Sequence, residues 1–147
     1  MVFQSGKQTL LLVEDSEDDA FLFQWNLKEA KSPFTVHHVG NGAEAIDFLR
    51  KASNSSALPD VVLLDLKMPV LNGFDVLSWM QTQTFSRKVP VFVVSGSAQE
   101  EDKVRAKQLG ALDYFVKPVT AADLRRIAAQ VCPDAAGAKL AETGAQT

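Results

Sequence analysis

Residues 61–65 read VVLLD, four apolar residues followed by an acid. A strand with one face in water alternates apolar and polar residues, whereas a strand covered on both faces has no need to. Residues 89–95, VPVFVVS, repeat the pattern and end on a hydroxyl. Both stretches therefore predict inner strands of a sheet with helices on each face. Outward from them, TLLLVE (9–14), FTVHHV (34–39) and LDYFV (112–116) also read as strands. Helix-period segments at about 17–30, 43–52, 73–83, 98–109 and 121–131 follow the strands in turn. Five β-then-α units in succession predict an α/β fold of three αβα layers around a five-stranded parallel sheet, with right-handed crossovers.

Boundaries have local causes. Pro59 and Pro90 lead into strands, and SNSSALP (53–59) makes a polar loop. Gly42 and Gly110 are expected at turns or helix C-caps. The ordered domain is expected over 9–131, after a short extension at 1–8. The tail CPDAAGAKLAETGAQT (132–147) is rich in Ala, Gly and Thr and is expected to be disordered from about residue 133. It is too short for a DNA-binding output domain.

Composition narrows the function. The chain has 147 residues, enough for one domain with a substantial core. A net charge of −3 argues against a dedicated nucleic-acid binder. No apolar stretch approaches the ~20 residues that span a bilayer, and MVFQSGKQ lacks the character of a signal peptide. The single cysteine, Cys132, cannot form an intrachain disulfide, so a cytoplasmic location is expected and Cys132 is expected to be functionally silent.

In an open parallel sheet, sites form beyond the carboxyl ends of the strands. Glu14-Asp15 ends the first strand, Asp65 the third and Ser95-Gly96 the fourth, and Lys117-Pro118 follows the fifth. If the strand order is 2-1-3-4-5, three carboxylates, one hydroxyl and one ammonium share a crevice. Clustered carboxylates raise one another's pKa unless a cation intervenes. A hard-oxygen set of this kind suits Mg²⁺, which also accepts phosphate oxygens. An aspartate can act as nucleophile towards phosphorus, with cation, ammonium and hydroxyl holding the phosphoryl oxygens.

Four pieces now stand in order: LLVEDSEDD, VVLLDLKMPVLNGFDVL, PVFVVSGSA and GALDYFVKP. Together, over about residues 9–131, they resemble the bacterial response-regulator receiver domain of two-component signalling. The third-strand motif D-x-x-M-P-x-x-x-G, here Asp65, Met68, Pro69 and Gly73, is the most specific part. The resemblance implies a flavodoxin-like sheet in the order 2-1-3-4-5. It implies that Asp65 accepts a phosphoryl group from a histidine kinase or phosphotransfer protein. It further implies that Asp15 ligates Mg²⁺ directly, Glu14 through a water, and Lys67 through its backbone carbonyl. Ser95 would bond the phosphoryl group and move on activation, Lys117 would pair with a phosphoryl oxygen, and Lys117-Pro118 would be cis. Tyr114 occupies the position of an aromatic switch that turns inward when the Ser95 hydroxyl moves. Glu14, Ser95 and Gly96 replace the more frequent Asp, Thr and Ala of the family. All groups that the chemistry requires remain.

The remaining residues are weighed against plainer roles. His37 and His38 are expected to be structural or at the surface, outside the crevice. On a helical wheel of the first helix, Ala20, Phe23, Asn26, Leu27 and Ala30 face the sheet, whereas Phe21 and Trp25 share the opposite face. That pair is a candidate docking patch for a kinase or for a second copy in a homodimer. The fourth helix, SAQEEDKVRAKQLG, is the other candidate interface. Ser16 fits a helix N-cap with Asp19 completing a capping box, and Glu17 and Asp18 fit the first turn. The expected function is a stand-alone receiver that switches a protein-interaction surface for a downstream target, with VEDSEDDA and the long second loop similar to receivers paired with sensor kinases, bacterial phytochromes included. An aspartate-nucleophile phosphatase of the haloacid-dehalogenase kind is disfavoured by Lys67, where such enzymes carry a second acid. A flavodoxin-like cofactor binder is disfavoured by acids in place of a phosphate loop.

Overall fold

The computed structural model describes residues 8–31 and 34–131. The extension before residue 8, Cys132 and the tail to residue 147 lie outside the described residues, as do the expectations made for them. Within them the elements run β1 (Gln8–Val13), α1 (Glu17–Glu29), β2 (Phe34–Val39), α2 (Gly42–Asn54), β3 (Val61–Asp65), α3 (Gly73–Gln81), β4 (Val91–Ser95), α4 (Glu100–Gln108), β5 (Asp113–Val116) and α5 (Ala121–Val131). All four strand pairings are parallel, and the sheet order is β2-β1-β3-β4-β5.

The unbroken apolar runs split by the two-residue period of a strand. Leu11, Val13, Val62, Leu64, Val91, Val93 and Tyr114 point into one core, covered by α2, α3 and α4 through residues such as Leu49, Leu77 and Ala106. Leu10, Leu12, Val61, Leu63, Phe92, Val94 and Phe115 point into the other, covered by α1 and α5 through Phe23, Leu27, Leu124 and Ile127. Every residue of β3 and β4 is buried. Each of their apolar side chains contributes about 1.5–3 kcal/mol by leaving water, so the central strands anchor the fold. The edge strand β2 is only half-buried.

Helix starts carry their own caps. The Ser16 hydroxyl accepts from the Asp19 amide (3.2 Å), and Asn41 from that of Glu44 (2.8 Å). Asn72 and Asp75 cap each other reciprocally, as do Thr120 and Asp123. Three expectations are corrected. Gly42 is the first residue of α2, not a C-cap: a Cβ there would meet the Leu71 carbonyl oxygen at 2.6 Å, so close approach of two chain segments selects glycine. The fourth strand begins at Val91, after Pro90, because proline has no amide to give a ladder. The first strand ends at Val13, which leaves Glu14 just beyond the sheet.

Candidate functional site

The strand order turns the ends of β1, β3, β4 and β5 into one rim. Glu14 and Asp65 are each 4% exposed and Ser95 is fully buried, whereas Asp15 is open to solvent. Glu14, Asp15 and Asp65 each bring one carboxylate oxygen to within 4.8 Å of the others. The Lys117 ammonium reaches the same point from the loop after β5. It lies 2.7 Å from Glu14 Oε1, 2.8 Å from Asp19 Oδ2 and 3.7 Å from Asp65 Oδ1. That loop is fixed by the Lys117 amide, which donates to the Ser95 carbonyl (2.8 Å), and the Lys117-Pro118 bond is cis.

Backbone packing sets these positions. Glu14 Oε2 accepts from the Ser16 amide (3.1 Å), so the acid that follows β1 also braces the start of α1. Gly73 brings α3 against β3: its amide donates to the Leu66 carbonyl (3.0 Å), and a Cβ there would meet the Asp65 carbonyl oxygen at 2.6 Å. The motif glycine is thus a spacing requirement of the strand that presents Asp65. Between them, the Leu71 amide donates to the Pro69 carbonyl (2.8 Å) across Val70, whose φ is +68° and which is 97% exposed. A β-branched residue in the left-handed region at the centre of a three-residue turn is a strained arrangement.

The electrostatics follow from burial. Removal from water, and then the Glu14 charge, raise the Asp65 pKa from 3.8 to about 7, while Lys117 and the Lys67 amide pull the other way. That amide is 3.4 Å from Asp65 Oδ1. Burial opposes the Lys117 charge, but hydrogen bonds to Asp19 and Glu14 and the charges of Asp65 and Glu14 hold its pKa above the ordinary lysine value. One ammonium therefore faces three carboxylates. A hard-oxygen donor set with excess negative charge fits Mg²⁺, Ca²⁺ or Mn²⁺ rather than a softer metal.

Ser95 and Tyr114 are joined through the loop between β4 and α4. The Ser95 hydroxyl accepts from the Ser97 amide (3.1 Å), and the Tyr114 hydroxyl donates to the Ser97 carbonyl (2.8 Å). Tyr114 is buried, so its ring lies inward here. The Ser97 hydroxyl in turn donates to Asp102 (2.7 Å) near the start of α4.

One sequence expectation changes. Asp19 lies where the capping box was expected, but its carboxylate bonds Lys117 rather than the Ser16 amide. It is a site residue that the S-x-x-D pattern concealed. The available signal was its place four residues after Asp15, one helical turn further on. His38 is exposed, as expected, and has a structural contact: its Nε2 is 2.8 Å from the Glu14 backbone carbonyl oxygen. His37 packs on Phe48 of α2. The wheel of α1 holds: Ala20, Phe23 and Leu27 are buried, while Phe21 and Trp25 are 67% and 52% exposed, with ring centroids 6.5 Å apart. Leu22, which sequence reasoning left out, is exposed beside them.

Comparison with known proteins agrees with this geometry. Residues 10–129 match the family model described as the response regulator receiver domain. The chain is 32% identical over 113 residues to the polar-differentiation response regulator DivK of Brucella anthropi, covering 77% of this chain and 86% of that protein. It is 34% identical over 110 residues to protein PilH of Pseudomonas aeruginosa, covering 75% and 85% respectively. Among solved structures it is similar to the phosphorylated cyanobacterial phytochrome response regulator RcpA (31% identity, TM-score 0.70, 82% of this chain and 88% of that one). It is also similar to the bacteriophytochrome response regulator AtBRR (32% identity, TM-score 0.72, 84% and 91%).

Proposed function

Because the chain belongs to the response regulator receiver domain family, we propose that it is a receiver whose Asp65 takes a phosphoryl group from a histidine kinase or phosphotransfer protein. The observation that supports this most is the convergence of buried Asp65 with Glu14, Asp15 and Lys117 at the carboxyl ends of the sheet. An Asp65 carboxylate oxygen attacks phosphorus, the bond from phosphorus to the donor breaks, and its electron pair leaves with the donor. Asp65 must be ionised for this, and its raised pKa makes an added cation favourable.

Glu14, Asp15 and Asp65, with the Lys67 carbonyl, are the groups that would hold Mg²⁺. When bound, the ion supplies positive charge to the phosphoryl oxygens and lowers the Asp65 pKa. Lys117 then exchanges part of its contact with Glu14 and Asp19 for a phosphoryl oxygen. Ser95 turns its hydroxyl from the Ser97 amide to the new group, which frees the loop that Tyr114 grips. The result is a shift between two packings of the β4–α4 region, read by a downstream protein. In this reading the protein is a signalling element that catalyses only its own phosphorylation and dephosphorylation.

The receiver occupies about 9–131, flanked by the extension at 1–8 and the tail at 132–147, in the cytoplasm. Among the described residues no helix is long and apolar enough to cross a membrane. The partners are proteins rather than nucleic acid, consistent with the net charge of −3. Phe21 and Trp25 form the docking patch for the kinase or a second copy. Phytochrome response regulators among the similar structures favour a phytochrome-type sensor kinase.

The test is intact-mass measurement after incubation with Mg²⁺ and a small acyl-phosphate donor. One added phosphoryl group, absent with a chelator, is expected. Rapid release of phosphate from unrelated monoesters, without a stable adduct, would support a phosphatase instead.

A further inference from the structure

Asp19 and Lys117, 98 positions apart in the chain, meet at 2.8 Å. Backbone contacts place both ends of this pair. The Ser16 hydroxyl accepts from the Asp19 amide (3.2 Å) and fixes the first turn of α1, while the Lys117 amide donates to the Ser95 carbonyl (2.8 Å). About two helical turns further along α1, the Asn26 side-chain amide donates to the Val119 carbonyl (3.3 Å). Helix α1 is thus fastened to the loop after β5 at two points, and the Lys117 ammonium makes one of them.

An ammonium has three hydrogens to donate. Glu14 at 2.7 Å and Asp19 at 2.8 Å take two, and Asp65 at 3.7 Å lies beyond hydrogen-bond reach. The two acids that hold Lys117 are not equivalent. Glu14 is buried and belongs to the carboxylates that converge within 4.8 Å at Asp65. Asp19 stands outside that cluster, on α1, with its side chain 46% exposed. It serves the lysine rather than the cation site. Once Asp65 carries a phosphoryl group, an oxygen of that group and Asp19 call on the same ammonium. We propose that Asp19 is a positioning residue that competes with the incoming phosphoryl group for Lys117 and so slows phosphoryl uptake by Asp65.

The competition rests on the reading of Asp65 as phospho-acceptor, whereas the hold of Asp19 on Lys117 does not. The full chain is incubated with Mg²⁺ and acetyl phosphate, and the rate of phosphoryl uptake is read by intact mass. Asp19→Asn removes the charge and keeps the shape. It is expected to take up the group about two- to fivefold faster, the worth of a half-exposed ion pair. Asp19→Glu, which returns a carboxylate to the lysine, should bring the rate most of the way back. In a Lys117→Ala background Asp19→Asn should change nothing, because there is no ammonium to release. Equal acceleration in both backgrounds would mean that the charge of Asp19 acts on the donor directly, and would overturn the proposal. An unchanged or slower rate in Asp19→Asn alone would do the same. The hold itself is read without phosphorylation, with a chelator present, from the nitrogen-15 resonance of the Lys117 ammonium, assigned by its loss in Lys117→Ala. Asp19→Asn should shift this resonance and hasten exchange of its protons with water, and no change in either would also overturn the proposal. If the resonance responds but no variant takes up a phosphoryl group, the hold of Asp19 on Lys117 stands and the receiver reading fails.

Discussion

Asp65→Asn should make the protein more stable as the pH rises, relative to the unmodified chain. Asp65 is 4% exposed and its pKa rises from 3.8 to about 7 in the fold, through burial first and Glu14 second. The folded state therefore holds the Asp65 proton more tightly than the unfolded state. Stability falls as pH rises wherever the folded state binds more protons, here between about 4 and 7. Asparagine carries no such proton, and its amide still presents an oxygen to the Lys67 amide and a donor to Glu14. From pH 5 to pH 8 the folded-state pKa of about 7 is crossed over roughly two units, at 1.36 kcal/mol each. The stability advantage of the variant should therefore widen by up to about 2–3 kcal/mol over that interval. The assay is urea unfolding of both proteins at pH 5, 6, 7 and 8 with a chelator present. Added Mg²⁺ at pH 8 should recover much of the difference in the unmodified chain and little in the variant. A gap that stays flat or narrows with pH would refute the claim that Asp65 is an uncompensated buried acid.

Further outcomes follow from the same geometry. Lys117→Ala leaves Glu14 and Asp65 buried with no counter-charge, so unfolding measurements at pH 8 should show a loss of about 2–3 kcal/mol. Phosphorylation by a small donor should slow about 100-fold or more, as when a donor to a developing phosphoryl charge is lost. Val70→Gly relieves a positive φ of +68° at a residue that is 97% exposed and packs on little. Strain of about 1–3 kcal/mol, less the 0.5–1 that glycine adds to the unfolded chain, leaves a gain of about 1 kcal/mol. Thermal unfolding should rise by about 2–4 °C. Phe21→Ser with Trp25→Ser removes exposed rings only, so stability should change by less than about 1 kcal/mol and small-donor phosphorylation should hold. Transfer from a partner kinase, measured by the decay of its phosphohistidine, should slow.

What the sequence shows and what it conceals have physical reasons. VVLLD and VFVVS contain both cores at once, because successive residues of a strand face opposite ways. Their unbroken apolarity is therefore itself the sign of a sheet covered on both sides. Glu14, Asp65, Ser95 and Lys117 were readable because a parallel sheet brings the carboxyl ends of its strands together. Gly42 was misread because a glycine beside a helix has two explanations, and only the contact with Leu71, 29 positions away, decides between them. Asp19 was misread because a local pattern, the capping box, competed with a partner 98 residues distant and lost. Val70 gave no signal at all: valine is a poor choice for a positive φ, so nothing in its type announced the turn.

The central claim is that Asp65 itself receives the phosphoryl group. An aspartyl phosphate can be trapped by borohydride, which cleaves the acyl–phosphate bond and reduces the acid carbon to the alcohol of homoserine. Phosphorylated protein should therefore be treated with borohydride, digested, and sequenced by mass spectrometry. The account predicts homoserine at position 65 alone, dependent on both Mg²⁺ and the donor, and absent in Asp65→Asn. Homoserine at Asp15 or Asp19 in the unmodified chain, or full phosphorylation of Asp65→Asn, would contradict it.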